Sequence, residues 1–361
     1  MLKAYDVEEL REGMKVGRDI AESDGSILFV KGTVLTTKMI ESMLDRPIFS
    51  VYIDVDYKPA AKEIPGKEFL LDDGYVKQYD DLYRQLHLLY VSVNDTNNID
   101  MDELNSIVDD KLPQLCDGAK AVSQIHNMSR EGIYLIHHAL HVAILAGLIG
   151  HWLHWPAKER RGLVTAALLI DVGQQRISKD ILDKHGKLSP SERAIIQKHP
   201  DYAYDMLKHT PIYKDQKIMC GITQHHERCD GSGYPNRLKR DKISEYGKVL
   251  AILDIYDAMA TNRTYARRRS PFDVFGVLYD DILAGKLDTE YGVCFLKNLC
   301  HSLNGNWVGL SNGEQGRIVY IDESRVTSLP IVQTTGNKFI NLNTDTSVKI
   351  QSILTAGEVD L

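Results

Sequence analysis

The chain has 361 residues, 43% of them hydrophobic and 26% charged, an ordinary composition for a globular protein with room for two or three packed units, which excludes disordered and collagen-like classes. A formal charge of -7 lacks the overall basic field that general DNA or RNA binding requires. The five cysteines have an odd count and no CxxC spacing, which fits reduced thiols in the cytoplasm rather than a disulfide framework, and the first ten residues lack the charged-then-apolar pattern of a secretion signal.

Residues 1–58 are expected to form a small α+β accessory module. Strand-like stretches run over 27–30, 31–35 and 51–53, with a helix from about Thr37 to Leu44. Pro59 and Pro65 mark a linker, and 59–130 reads as this linker followed by amphipathic helices, one of them starting near 100–103. Those helices have the next domain or a second copy of the chain, as in a homodimer, to pack against. From 131 to 303 nearly everything reads as helix, broken by a glycine-rich loop at 230–242. The longest apolar stretch, 133–155, approaches membrane-spanning length but carries His137, His138, His141, His151 and His154, which predicts the central helix of a folded domain and no membrane span. Residues 304–361 return to strand-like alternation, as at 316–321 and 338–340, and predict a hairpin or small sheet against the helical body. The expected fold class is mainly α.

The candidate chemistry lies in the helical part. His225 and His226 run through Glu227, Arg228 and Cys229 into Asp230, Gly231, Ser232, Gly233, Tyr234 and Pro235. Adjacent imidazoles followed by a stiff turn suit a metal site with a loop beside it, and the glycines suit close approach to a ligand or partner. Asp171 falls in the apolar run 167–173, where an unpaired charge would cost on the order of several kcal/mol. Asp254 and His138 occupy similar apolar runs, at 249–256 and 134–142. His199 precedes Pro200, a residue favoured at the first helical position, so its ring should project from a helix start.

Each of these residues has a structural alternative: a buried Asp can cap a helix or pair with Arg, and a core His can be satisfied by a carbonyl. Five helical segments each offering His or Asp from an apolar context point instead to a metal. Mixed imidazole and carboxylate ligands suit iron, manganese, zinc or nickel, and a carboxylate can bridge two ions. Asp257, three residues after Asp254, is expected to partner a ligand rather than be one. His141 is read as a satisfied core histidine.

With those motifs in hand, residues 131–303 resemble the HD-GYP family, a branch of the HD superfamily of metal-dependent phosphohydrolases. The resemblance rests on His225 to Arg228, Asp230 to Pro235, His199 with Pro200, and Asp254 to Met259 followed by Arg263 and Tyr265, in the family's order and approximate spacing. It implies an HD-type helical domain in a bacterial cytoplasmic protein that cleaves cyclic di-GMP, or a related cyclic dinucleotide, to pGpG and GMP. It also implies a centre of two or three metal ions, usually iron or manganese. Carried over by position, one ion would take His199, His225, His226 and Asp171, and another His138, Asp254 and the same Asp171. Gly233, Tyr234, Pro235, Arg263 and Tyr265 would face the substrate, and a GGDEF-domain protein is the partner class implied for the loop.

The name-giving His-Asp pair is here Ile170 and Asp171, and the lysine expected three residues after the aspartate is Gln174, which donates a hydrogen bond but carries no charge. Tyr134 stands where a glutamate can recruit a third ion, Ala266 replaces a basic residue, and Arg237 and Arg240 replace glycines. Isoleucine cannot coordinate a metal. One site is therefore expected to be firm and the second weak, with phosphodiester hydrolysis weak or lost. The alternative is a non-catalytic cyclic-dinucleotide receptor or a GGDEF-binding regulatory module.

Overall fold

The computed structural model describes residues 2–11, 13–21, 27–44, 46, 48, 50–55, 73–116, 118–127, 132–184, 186–260, 270–322, 324–354 and 358–359. The chain divides into two compact units, 1–65 and 66–361.

The first unit contains β1 (Leu2–Asp6), β2 (Ile20–Ala21), β3 (Ile27–Phe29), α1 (Thr37–Leu44) and β4 (Ser50–Asp54). β1 pairs antiparallel with β4, placing Leu2 opposite Asp54 and Lys3 opposite Ile53, and β2 pairs with β3. Val16, Leu35, Met43, Val51 and Ile53 are buried together. The strand expected over 31–35 is replaced by a turn with an isolated bridge from Val34 to Lys15. Thr33 closes that turn by donating from its hydroxyl to the Val30 carbonyl at 2.7 Å, and Gly32 supplies the left-handed backbone, φ +91°.

The second unit is mainly helical: α2 (Asp73–Thr96), α3 (Met101–Ser106), α4 (Gly118–Asn127), α5 (Tyr134–Trp152), α6 (Ala157–Leu168), α7 (Lys179–Leu182), α8 (Pro190–Ile196), α9 (His199–Leu207), α10 (Gln216–Gln224), α11 (Glu245–Ala260), α12 (Pro271–Leu283) and α13 (Thr289–Ser302). Asp100 begins α3 as expected, one carboxylate oxygen accepting from the amides of Asp102 and Glu103 at 3.0 Å each. α5 is apolar on nearly every face, the signature of a helix surrounded by protein. Its length and apolarity would allow a membrane span, yet 78% of that stretch is buried within the unit, where it packs against α2, α6, α11 and α13.

After α13 come β5 (Trp307–Leu310), β6 (Gln315–Tyr320), β7 (Ile331–Thr334), β8 (Phe339–Asn341) and β9 (Ile350–Ile353). They form an antiparallel sheet in the order β8-β7-β6-β5-β9. Val308 lies opposite Ile353 in β9, and Ile318 opposite Val332, which in turn faces Ile340. These side chains are buried in the same hydrophobic core as the helices. The fold is thus mainly α, with small strand regions toward both ends.

Candidate metal centre

Asp171 sits in a turn just past the end of α6, not in a helix as the apolar run suggested. α6 ends at Leu168, and Asp171 (φ -113°, ψ 14°) leads into a short 3-10 turn over Val172–Arg176. The turn can lie flat on the start of α9 because residue 173 is glycine: a Cβ there would fall 2.0 Å from the carbonyl oxygen of His199 and 2.5 Å from the amide nitrogen of Ala203. Tyr90 of α2 fixes it from the other side. Its hydroxyl donates to the Leu168 carbonyl at 2.8 Å, and its own carbonyl accepts from Gln175 at 2.9 Å. His199 opens α9 with Pro200 behind it, His225 and His226 follow the last turn of α10, and Asp254 and His138 project from α11 and α5.

Asp171, His199, His225 and His226 each bring one ligand atom within 4.8 Å of the others. His199 donates from Nδ1 to the Ile196 carbonyl at 2.8 Å, and His225 from Nδ1 to the Ile222 carbonyl at 2.7 Å. In the neutral rings both Nε2 atoms therefore carry lone pairs, and they face each other at 3.2 Å. Asp171 Oδ1 lies 3.2 Å from one and 3.7 Å from the other and is buried without a hydrogen-bond donor. A cation satisfies all three acceptors at once, so these residues fit a metal.

The opposite side of Asp171 meets the remaining candidates. His138 Nε2 is 3.6 Å from Asp171 Oδ2 and 3.3 Å from Asp254 Oδ1, and His226 Nδ1 is 3.5 Å from Asp254 Oδ2. Asp257 is not among these facing atoms; it accepts from His138 Nδ1 at 2.8 Å, orienting the ring as carboxylates do behind metal-binding histidines. His141 also donates to Asp257, at 3.0 Å.

Charge follows this arrangement. Burial opposes ionisation of Asp171, but the imidazoles of His225, His199 and His138 outweigh it and hold the carboxyl well below its usual range. Asp254 is lowered too, His138 overcoming burial. Burial pulls His199 down, and burial with His225 and His199 pulls His226 down further, keeping both rings neutral and ready to bind. His138 goes the other way: burial opposes its charge, yet Tyr134, Asp254 and Asp257 raise it well above the ordinary value.

The glycine-rich loop is pinned beside this cluster. Glu227, fully buried, accepts from the amide of Asn236 at 2.7 Å and of Leu238 at 2.9 Å, one per carboxylate oxygen. Arg240 pairs with Asp288, the first residue before α13, at 2.8 Å. Tyr234 stacks on His226, with centroids 4.6 Å apart, and meets His199 edge-on at 6.2 Å, so the half-buried ring borders the imidazoles, with Pro235 next in sequence. Burial, with Asp254 and Asp171, raises the Tyr234 phenol. Gly233 answers to the loop's own packing: a Cβ there would lie 2.4 Å from the Arg228 amide nitrogen and 2.5 Å from Glu227 Cα. Close packing on its own chain is thus one demand that Gly233 meets.

Ile170 is fully buried. Gln174 is half-buried, its backbone N–H donating to the Asp171 backbone carbonyl at 2.9 Å. Tyr134 stacks on His138 with centroids 5.6 Å apart. Arg263 and Tyr265, with Ala266, Arg267, Arg268 and Arg269, lie outside the described residues. The sequence reading missed Glu227, Tyr90 and Gln175 as supports. Glu227 alone had a signal, a carboxylate wedged between two histidines and a glycine turn.

A family profile described as an HD domain matches residues 104–289. A 3'3'-cGAMP-specific phosphodiesterase of Vibrio cholerae, the third of that name, is 35% identical over 162 residues, which are 45% of this chain and 34% of that protein. The cyclic di-GMP phosphodiesterase response regulator RpfG of Xanthomonas campestris is 34% identical over 121 residues, covering 34% of this chain and 32% of RpfG. A cyclic di-GMP phosphodiesterase of Thermotoga maritima is 36% identical over 135 residues, 37% of this chain and 36% of that protein. The chain spans about a third of the length of these curated relatives. Among solved structures, the HDG"Y"P protein Bd1817 from Bdellovibrio bacteriovorus matches with a TM-score of 0.50 at 17% identity, over 82% of this chain and 98% of that one, a likeness of fold.

Proposed function

The chain belongs to the HD domain family, in the HD-GYP branch, and from that premise we propose that its second unit is a divergent metal-dependent phosphodiesterase site for cyclic dinucleotides whose hydrolysis is weakened. The relatives are named for cyclic di-GMP and for 3'3'-cGAMP, so the substrate class is a cyclic dinucleotide made of purine nucleotides. The observation that carries the reading is the paired Nε2 lone pairs of His199 and His225 turned toward the orphan oxygen of Asp171.

Asp171 is the bridging carboxylate in this reading, one oxygen toward His199 and His225 and the other toward His138. His199, His225, His226 and Asp171 would hold one ion firmly, and His138, Asp254 and Asp171 a second one weakly. Iron or manganese bound there supplies Lewis-acid neutralisation of charge on the phosphodiester oxygens. Tyr234 and Pro235 border the substrate's place, with Arg263 and Tyr265 assigned to phosphate and nucleotide contact by their position in the motif. Ile170 puts a hydrocarbon where the family carries a ligand, and Gln174 offers a neutral donor in place of an ammonium. Both changes weaken the side of the site on which phosphoryl charge would be met.

Those same two residues favour a second reading: a receptor that binds a cyclic dinucleotide without cleaving it, or a module whose Gly-Tyr-Pro loop docks a GGDEF-domain protein. The experiment is incubation of anaerobically purified protein, reconstituted with iron or manganese, with cyclic di-GMP and separately with 3'3'-cGAMP, and chromatographic analysis of products. Linear dinucleotide formed by the wild type and absent with His225→Ala supports the enzyme. No product, together with saturable nucleotide binding, supports the receptor.

A further inference from the structure

We infer that Tyr79, on α2 and outside the stretch 104–289 that matches the family, is a positioning residue for the metal centre, acting through His141 and Asp257 on the ring of His138. The inference rests on the reading of His138 as a metal ligand given above. Tyr79 is fully buried, and its hydroxyl lies 2.9 Å from Nε2 of His141 and 2.9 Å from Nδ1 of His137, two rings one turn apart on α5. Nδ1 of His141 is 3.0 Å from Asp257 Oδ1, and Asp257 Oδ2 is 2.8 Å from Nδ1 of His138.

The direction of each bond in this chain follows from what each group can do when His141 is neutral. An ionised carboxylate only accepts, so His138 and His141 both carry a proton on Nδ1. In a neutral His141 the Nε2 atom then holds a lone pair and accepts from the Tyr79 hydroxyl. The oxygen of Tyr79 in turn accepts from His137 Nδ1. At the far end, His138 is held with Nδ1 committed to Asp257, and Nε2 is the nitrogen left to face Asp254 and Asp171. That is the nitrogen a metal on this side of the site requires.

Tyr79 therefore acts on His138 without touching it. Phenylalanine at 79 keeps the ring that stacks on His137, with centroids 5.8 Å apart, and deletes the hydroxyl alone. Nε2 of His141 then loses the Tyr79 hydroxyl as a donor, and the ring that Asp257 holds on the side away from His138 is less firmly placed. Among the described residues α2 is the first helix of the second unit, and a displacement of its start reaches His138 through two intervening side chains.

The test uses the full-length, metal-free chain labelled with 15N-histidine, comparing wild type with Tyr79→Phe and assigning rings with His138→Gln, His141→Gln and His225→Gln. The expected result is that Tyr79→Phe moves the Nδ1–H resonance of His138 as well as the resonances of His141. In a Zn2+ titration the midpoint read at His138 should rise about 10-fold, the lower end for a partner behind a ligand, while the midpoint read at His225 stays within about twofold. An unchanged His138 resonance, or midpoints at His138 and His225 that move together, would overturn the inference and leave Tyr79 as packing. A wild-type His138 that ignores Zn2+ would remove the ligand reading beneath it, an outcome separate from the other two and independent of any nucleotide assay.

Discussion

His199 and His225 face each other Nε2 to Nε2 at 3.2 Å, and in their neutral rings neither nitrogen has a proton to give, because both Nδ1–H groups are held by the carbonyls of Ile196 and Ile222. Two lone pairs at that separation repel, and Asp171 Oδ1 adds a third acceptor at 3.2 Å from His199. The arrangement is unfavourable alone and favourable around a cation. Mn2+ at about 100 times its Kd should therefore stabilise the fold by about 2.7 kcal/mol, a rise in Tm of roughly 4 °C. Scanning calorimetry with and without chelator reads this directly, and His225→Ala should abolish the rise. Identical melting in both conditions would count against a bound metal.

Glu227 is predicted to hold the loop rather than bind a metal. Its two oxygens are taken by the amides of Asn236 and Leu238. Glu227→Gln keeps one acceptor and turns an NH2 group against the other amide, at a local cost of about 2 kcal/mol. Hydrogen exchange of the Asn236 and Leu238 amides should accelerate roughly 30-fold while α5 and α11 keep their protection. Exchange rates equal to wild type would show that the loop is held by other contacts.

How far the site was legible in the sequence depends on which atoms carry the information. His138, Asp171, His199, His225, His226 and Asp254 were visible because a charged or imidazole group in an apolar run requires a partner, and the structure brings these six together. The mainly helical fold was visible for a related reason: a long apolar run such as that of α5, interrupted by imidazoles, marks a helix covered by protein. What was not visible depends on contacts distant in sequence. Asp171 lies beyond its helix because Gly173 packs on the His199 carbonyl, and no periodicity announces that. Tyr79 and Tyr90 read as apolar positions of an amphipathic helix, while their hydroxyls reach α5 and the end of α6. The strand expected over 31–35 failed at Gly32, whose positive φ turns the chain.

The pairing of Glu192 with Lys184 gives a pH signature remote from the metal cluster. Both carboxylate oxygens lie 2.7 Å from the ammonium, and the same carboxylate accepts from the Ser189 amide at the start of α8. Lys184 first, then Ser189, lower its pKa from the ordinary 4.5 to about 2. A depressed carboxylate contributes stability at pH above its unfolded value, and that contribution is lost as pH falls through the folded one. The window is thus from about 4.5 down to about 2. A 13C titration of the Glu192 carboxyl should place its midpoint near the lower figure, and Lys184→Met should return it toward the upper one. A wild-type midpoint at the ordinary value would disprove the ion pair.

Ile170 and Gln174 offer the sharpest test of how the centre works. Ile170, the residue just before Asp171, is fully buried, so a histidine there would bury a polar ring in a hydrocarbon site. Without metal, the double variant Ile170→His with Gln174→Lys should be less stable than wild type by about 1–3 kcal/mol, the cost of an unsatisfied buried polar group. With iron or manganese the imidazole gains a partner and that deficit should close. Metal analysis should rise from about one ion per chain toward two, because a restored ligand strengthens the side held by His138 and Asp254, and turnover of a cyclic dinucleotide should rise at least about 10-fold as a second ion shares the phosphoryl charge. The two readouts separate two failures. Metal content that rises without turnover would show that the centre was restored but that a second ion is not enough for cleavage. Metal content and turnover both unchanged would mean that residues 170 and 174 do not occupy the places assigned to them.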